Sequence, residues 1–234
     1  MDRLGDRLRK GEIAEGDIHQ LDAYRRSFAE AYEEVAAIVR NATQLEPTGR
    51  PAKSTTSIVE KLRRETIRLS QMQDIAGCRL VVPNVSAQDQ VVERLKGSLP
   101  KAVVVDRRKR PSFGYRAVHI IATARNKPIE IQVRTELQHL WAQLSEKLSD
   151  VEDPAIKYGG GDSEAQTLLS DYSGLIASME DLELRLSGPV KELEMWPSVV
   201  DLRRRLAENT RELRQLLIDV TEIWSTGPKS EGGN

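Results

Sequence analysis

The chain has 234 residues, of which 30% are charged and 39% hydrophobic, and its formal net charge is −1. That length allows one sizeable core with an appended helical region, and the charge balance excludes a whole-molecule field of the kind that gathers nucleic acid. The lone cysteine, Cys78, excludes an internal disulfide framework and fits a reducing cytoplasm, while the opening "MDRLGDRLRK" has no apolar signal core and no run nears membrane-spanning length.

The first periodic segment is 18–41, where Leu21, Tyr24, Phe28, Tyr32, Val35 and Ile38 predict one long helix. "TQLEPTGRPAK" breaks it, and Ser54 or Thr55 then caps a second helix expected to reach Leu69. Within "GRPAKSTTSIVEKLRRE", the residues Lys53, Ser57, Lys61 and Arg64 fall on one line, three cations and a hydroxyl near a helix N-terminus. Such a line suits a polyphosphate chain, although taken alone a solvated basic face is the plainer reading of it. "DIAGCRLVV" predicts a buried strand with Asp74 just before it, Gly77 allowing close backbone approach, and Arg79 inside the apolar run, where a charge is rarely left unpaired. A structural Arg79–Asp74 pair is the plain alternative to a functional role.

A helix over "SAQDQVVERLKGS" and a strand over "KAVVVDR" come next, and then a hairpin spanning 116–124 and 129–134 with "RNKP" as its loop. With that loop, 124 pairs with 129, 121 with 132 and 119 with 134. Tyr115 and His119 then share a face, and His119, Glu130, Gln132 and Arg134 project together, provided the register holds. An amphipathic helix is predicted over 135–149, with Trp141 in its core stripe.

After the breaker-rich "VEDPAIKYGGGDS", only helical patterns follow. The predicted stripes are Leu168, Tyr172, Leu175, Met179, Leu182 and Leu186, then Leu202, Leu206, Leu213, Leu216, Val220 and Trp224. Periodicity reports a buried stripe but not what buries it, so these helices either fold back on the 18–41 helix or form an interface. The last ten residues, "STGPKSEGGN", read as a frayed tail. The whole is an α+β chain with a mixed β-sheet flanked by helices. Its expected divisions are an N-terminal helical region over 1–44, a central domain over 45–150 and a C-terminal helical extension over 151–234.

Four ordered blocks, "RPAKSTTSIVEKLRR", "DIAGCRLVV", "GYRAVH" and "EIQVRT" followed by "LWAQLSEKL", resemble the synthetase domain of the RelA/SpoT family. The size resembles the small alarmone synthetases and their toxin relatives. The resemblance implies a nucleotidyltransferase-like fold and transfer of the β,γ-pyrophosphate of ATP to a ribose 3′-hydroxyl of GDP or GTP, with release of AMP. It implies Mg²⁺ held by Asp74 and Glu130, with Glu130 also activating the hydroxyl. It places Arg50 and Arg79 beside the adenine, and Lys53, Ser57, Lys61 and Arg64 along the ATP phosphates. Tyr115 would stack on the acceptor base and His119 would contact the substrates. Gln132 and Arg134 would complete the site.

Two departures stand out. Arg50 and Lys53 are one residue further apart than is usual in the family. "RRKRPSFGY" precedes the tyrosine, where Lys109 and Arg110 belong to a cluster that would attract the acceptor's phosphates. That cluster serves a guanosine diphosphate or the 3′ end of tRNA equally well, so a toxin that modifies tRNA or makes adenosine alarmones is the alternative. An inactive nucleotide-binding module is a second alternative, against which the retention of both acids speaks. The resemblance also implies a homo-oligomer, or a neutralising antitoxin, on the C-terminal helices. Glu130→Gln and Asp74→Asn are both expected to abolish transfer and leave the fold intact.

Overall fold

The structure, a computed structural model, describes residues 1–186 and 197–226, and the expected tail lies mostly outside them. It begins with a helix that the sequence expectations lack, α1 (Asp2–Lys10), which buries Leu4 and Leu8 and ends at Gly11. The single helix expected over 18–41 is two helices, α2 (Glu15–Arg26) and α3 (Ala29–Thr43). The Ser27 hydroxyl donates to Tyr24 O at 2.6 Å and closes the last turn of α2 locally. Such local side-chain bonding competes with helix continuation. Phe28, just past the break, is fully buried edge-on to Tyr24, so the apolar stripe runs unbroken across it.

Helix α4 (Thr55–Arg64) is capped as expected by Ser54, whose hydroxyl accepts from Ser57 N. It stops at Arg64, short of Leu69, which lies in a separate 3₁₀ turn. Arg9 of α1 accounts for the stop: it donates to the carbonyls of Leu62, Glu65 and Ile67, taking bonds that another helical turn would have used.

The strands are β1 (Thr48–Arg50), β2 (Ala76–Val82), β3 (Val103–Asp106), β4 (Val118–Ala124) and β5 (Lys127–Thr135). They form a five-stranded mixed sheet in the order β1-β2-β5-β4-β3. Helix α5 (Val85–Ser98) joins β2 to β3. The hairpin differs from expectation by two residues in register: Ala124 pairs with Lys127, Ile121 with Glu130 and His119 with Gln132. Arg125 and Asn126, at φ 49 and 59, close a two-residue turn, where a four-residue loop was expected. Two successive left-handed residues match the right-handed twist of a hairpin. A shift of two preserves side-chain parity, so the faces are as expected although the partners are not.

One sheet face is apolar. It carries Ala76, Cys78 and Leu80 on β2, Ile129, Ile131 and Val133 on β5, and Val118, Ile120 and Ala122 on β4, all buried. Helix α3 packs on β4. Cys78 is the small buried residue expected, its thiol pushed up to about 12 by burial.

The chain forms two compact units interleaved in sequence. The first comprises Met1–Leu80, Asp89–Val105 and Val118–Val133, with Phe28, Leu62, Ile75 and Ile120 among its fully buried side chains. The second comprises Val81–Gln88, Asp106–Ala117 and Arg134–Asn234. Its centre is α6 (Glu136–Val151), begun by a reciprocal box in which Thr135 Oγ1 accepts from Gln138 N and Thr135 N donates to Gln138 Oε1. Helices α7 (Ser163–Leu186) and α8 (Pro197–Thr226) both pack on α6. Trp141, Leu144 and Leu148 meet Leu169, Ile176, Leu213 and Leu217 in one cluster.

The buried stripe of α7 is Ala165, Leu169, Ser173, Ile176 and Glu180, so the stripe through Leu175 is a correction: Leu175 is 46% exposed. On α8, Leu206, Leu213 and Leu217 are buried, whereas Leu202 and Leu216 are exposed. Two polar members, Ser173 and Glu180, hide the true stripe of α7 from a reading by hydrophobicity.

Candidate active site

Asp74 sits just before β2 in the first unit, at a corner built by the segment that leads into α4. Lys53 N donates to Ile75 O at 2.6 Å, which fixes Lys53 beside the strand. Its ammonium donates to Asp74 Oδ2 at 2.8 Å, and Lys61, on α4, stands 2.9 Å from Oδ1. Burial pushes the Asp74 carboxyl up, but the two ammonium groups more than offset it and hold it below the usual carboxylate range. Two of the three cations in the predicted line, Lys53 and Lys61, thus converge on one carboxylate. Asp74 pairs with these lysines; an Arg79–Asp74 pair was the other expectation.

Glu130 lies on the polar face of β5. A Cβ at Gly77 would stand 2.6 Å from Glu130 O and 3.3 Å from its Cβ, so the two residues lie side by side on one face. Arg50 pairs with Gly77 and Thr48 with Arg79, which places Arg50 and Arg79 on that face as well. His119 and Gln132 join it through the hairpin register. His119 Nδ1 lies 2.8 Å from Glu130 Oε1, and Gln132 Nε2 donates to Oε2 at 2.7 Å. Burial raises the Glu130 carboxyl and the charge of Asp74 opposes ionisation further. The bond and charge of His119, together with the Gln132 bond, still bring it below the ordinary value. The Glu130 carboxyl is therefore biased toward its ionised form, with His119 Nδ1 and Gln132 Nε2 on its two oxygens.

The remaining predicted residues divide. Ser57 bonds Ser54 at the start of α4, and Arg64 contacts Glu65 at its end. In the second unit, Arg134 Nη2 donates to the Tyr115 hydroxyl at 3.0 Å, and its guanidinium lies 5.0 Å from the ring centroid. Lys109 and Arg110 are exposed. Of their neighbours, Arg108 is engaged by Asp106 and by Gln88 Oε1.

Two buried or part-buried polar contacts, one at the lysine corner and one within the second unit, escape sequence reading. Arg25 of α2 donates to Lys53 O at 2.6 Å and to Thr55 Oγ1 at 3.0 Å, supporting the lysine corner from 28 residues away. Glu180 of α7 is buried and accepts from Thr135 and Gln138, while Gln138 in turn accepts from Gln88. Neither has a local sequence signal, because each acts on residues remote in the chain. A recess of about 600 Å³ in the second unit, lined by Glu180, Glu183, Arg203, Arg211 and Arg214 among others, includes none of the predicted residues.

Among the described residues, no group of three or more His, Cys, Asp or Glu could enclose a metal ion. Asp74 and Glu130 nevertheless fit Mg²⁺, which needs one or two carboxylates and takes its other ligands from water and phosphate. Asp74 Oδ1 is buried with the Lys61 ammonium 2.9 Å away, and a carboxylate oxygen has a second lone pair for such an ion. No helix among the described residues is long and apolar enough to cross a membrane.

Residues 49–149 match the model of the region found in RelA/SpoT proteins. Uncharacterized proteins of Mycobacterium tuberculosis and Mycobacterium bovis are 33% identical over 136 residues, 56% of this chain and 49% of theirs. The chain thus spans about half the length of the curated relatives it matches. Among solved structures, small alarmone synthetase 1 of Bacillus subtilis is 25% identical with a TM-score of 0.57, over 74% of this chain and 98% of its own. The same synthetase has been solved with its product pppGpp and with AMPCPP, at TM-scores of 0.57 and 0.52 to this chain. A Streptococcus mutans protein is 26% identical with a TM-score of 0.51, over 75% of this chain and 98% of its own. Residues 49–149 thus match the RelA/SpoT region, and the chain shares its fold with the small alarmone synthetases.

Proposed function

We propose that the protein is a pyrophosphokinase that moves the β,γ-pyrophosphate of ATP to the 3′-hydroxyl of a guanosine nucleotide, GDP or GTP. The observation that carries this reading is the pair of acids in one unit, Glu130 hydrogen-bonded with His119 and Gln132, and Asp74 flanked by Lys53 and Lys61. Phosphoryl-type transfer is mostly positioning and charge neutralisation, which such a set supplies.

Glu130 accepts the proton of the 3′-hydroxyl as that oxygen bonds to the β-phosphorus. The bond between the β-phosphorus and the oxygen bridging it to the α-phosphorus breaks, and AMP leaves with that oxygen. Lys53, Lys61, Ser57 and Arg64 line the phosphates, and the lysines exchange Asp74 for phosphate oxygens. Arg79 and Arg50 flank the adenine. Mg²⁺, when bound by Asp74 and Glu130, would neutralise charge on the transferred group. Tyr115 stacks on the acceptor base, Arg134 braces its ring, and Lys109 and Arg110 attract the acceptor's phosphates. The resemblance to the family supports these roles. So does the likeness to a synthetase that has been solved with pppGpp and with AMPCPP.

The test is incubation of the purified chain with Mg²⁺, ATP labelled in the γ-phosphate, and GDP, GTP, AMP or deacylated tRNA in separate reactions. Label on GDP or GTP is expected, and absent with Glu130→Gln. Label on AMP or tRNA alone would replace the acceptor and leave the donor chemistry standing. Label on none would overturn the reading.

A further inference from the structure

We infer that Ser173, on α7 and outside the RelA/SpoT region, is a positioning residue that sets the orientation of Tyr115 and thereby the use of the acceptor. The inference rests on the proposed stacking role of Tyr115. Ser173 is 4% exposed, and its hydroxyl uses both of its capacities on the residues that flank the tyrosine. It donates to Gly114 O at 2.6 Å and accepts from Arg116 Nε at 3.1 Å. Serine in a helix ordinarily bonds back to the carbonyl four residues earlier. Ser178, in the same helix, does so with Gly174 O at 3.0 Å. Ser173 forgoes that bond and brackets Tyr115.

The segment it holds is a tight, strained turn. Phe113 and Gly114 lie at φ 51 and 85, and Ser112 and Tyr115 exchange backbone bonds across them. A phenylalanine in the left-handed region is unfavourable unless its surroundings impose it. The imposition comes from α6 and α7: a Cβ at Gly114 would stand 2.7 Å from the Trp141 ring and 3.3 Å from Ser173 Cβ. Arg116 extends the clamp by donating from Nη1 to Arg108 O at 2.7 Å, tying down the basic loop ahead of the turn. Tyr115 is thus fixed by Ser173 through its two neighbours and by Arg134 through its hydroxyl. Removing Ser173 frees the backbone on both sides of the ring and touches neither acid nor the lysine corner.

The experiment measures KM for GDP, KM for ATP, kcat and Tm in Ser173→Ala, Tyr115→Ala and the double variant. The expected result for Ser173→Ala is a GDP KM raised about tenfold, with ATP KM and kcat at saturating GDP within about twofold of the parent. In the Tyr115→Ala background the same substitution should add nothing, which a purely structural serine would not produce. Arg116→Lys keeps the charge but loses the Nε–H bond; it should raise GDP KM in the same selective way, and it carries the test if Ser173→Ala fails to fold. A raised GDP KM in Tyr115→Ala beside an unchanged one in Ser173→Ala and Arg116→Lys overturns the inference alone. Equal rises in both KM values, or full additivity with Tyr115→Ala, also overturn it. An unchanged GDP KM in Tyr115→Ala overturns the stacking role, and the inference with it.

Discussion

Asp74 and Glu130 differ in what surrounds them, and their substitutions should differ accordingly. Glu130→Gln keeps a side chain of the same shape next to His119 and Gln132, so activity should fall by about a thousandfold or more while Tm changes little. Asp74→Asn leaves Lys53 and Lys61 half-buried beside a neutral amide, and should cost about 1–2 kcal/mol of stability at pH 7 as well as activity. The expectation of an intact fold is therefore revised for Asp74. Because the folded-state pKa of Asp74 is depressed, its contribution is complete above the unfolded value of roughly 3.9 and is lost as pH falls through the folded one. The Tm gap between parent and Asp74→Asn should close in acid, and a gap that stays constant from pH 7 to pH 3 would refute the pairing. Glu180 has the opposite sign. Burial raises its pKa against the bonds from Thr135 and Gln138, so the folded state holds its proton more tightly and stability falls as pH rises through the raised value. Glu180→Gln cannot titrate, and its Tm relative to the parent should be higher at pH 8 than at pH 5. Thermal melts at the two values check this.

At the scale of elements, the polar face of the hairpin depends on how closely β2 approaches β5. Gly77→Ala puts a methyl 2.6 Å from Glu130 O, against backbone that cannot move without shifting the strand. The expected cost is about 2 kcal/mol, with a loss of activity at substrate saturation because Glu130 moves with its strand. A variant with parental Tm and kcat would show that the strands have room. The same elements show how far periodicity reaches. Strand parity was legible in the hairpin because alternation survives a two-residue shift, whereas the partners depended on Arg125 and Asn126 adopting left-handed φ. On α7 the fully buried positions lie one residue beyond the expected stripe, whose Tyr172 and Met179 pack partly buried against the same cluster while Leu175 is exposed. The stripe that faces α6 includes Ser173 and Glu180, polar residues buried because remote groups satisfy them.

For the whole molecule, helices α7 and α8 are part of the core of the second unit, with Leu169, Ile176, Leu213 and Leu217 packed on Trp141, Leu144 and Leu148. Deleting 163–234 should strip α6 of its cover and produce a chain that aggregates or melts without cooperativity, as circular dichroism would show. A truncated chain that melts cooperatively near the parental Tm would overturn that account. Packing on α6 uses only part of each helix: Leu175, Leu184, Leu202, Leu216 and Ile223 are exposed, and light scattering on the intact chain decides whether they form the proposed interface between copies.

The amino-acid sequence by itself determined the α+β class, the four ordered blocks of the RelA/SpoT region, the N-cap of α4 and the polar face of the hairpin. Each rests on local chemistry: side-chain period, capping hydroxyls and charged residues inside apolar runs. Only the tertiary structure decided that Lys53 and Lys61 both reach Asp74, that Arg25 supports them from α2, and that Ser173 and Glu180 belong to a buried stripe. Those facts depend on bonds between groups from 13 to 59 residues apart, which exist only once the backbone has brought them together, and no local pattern encodes them.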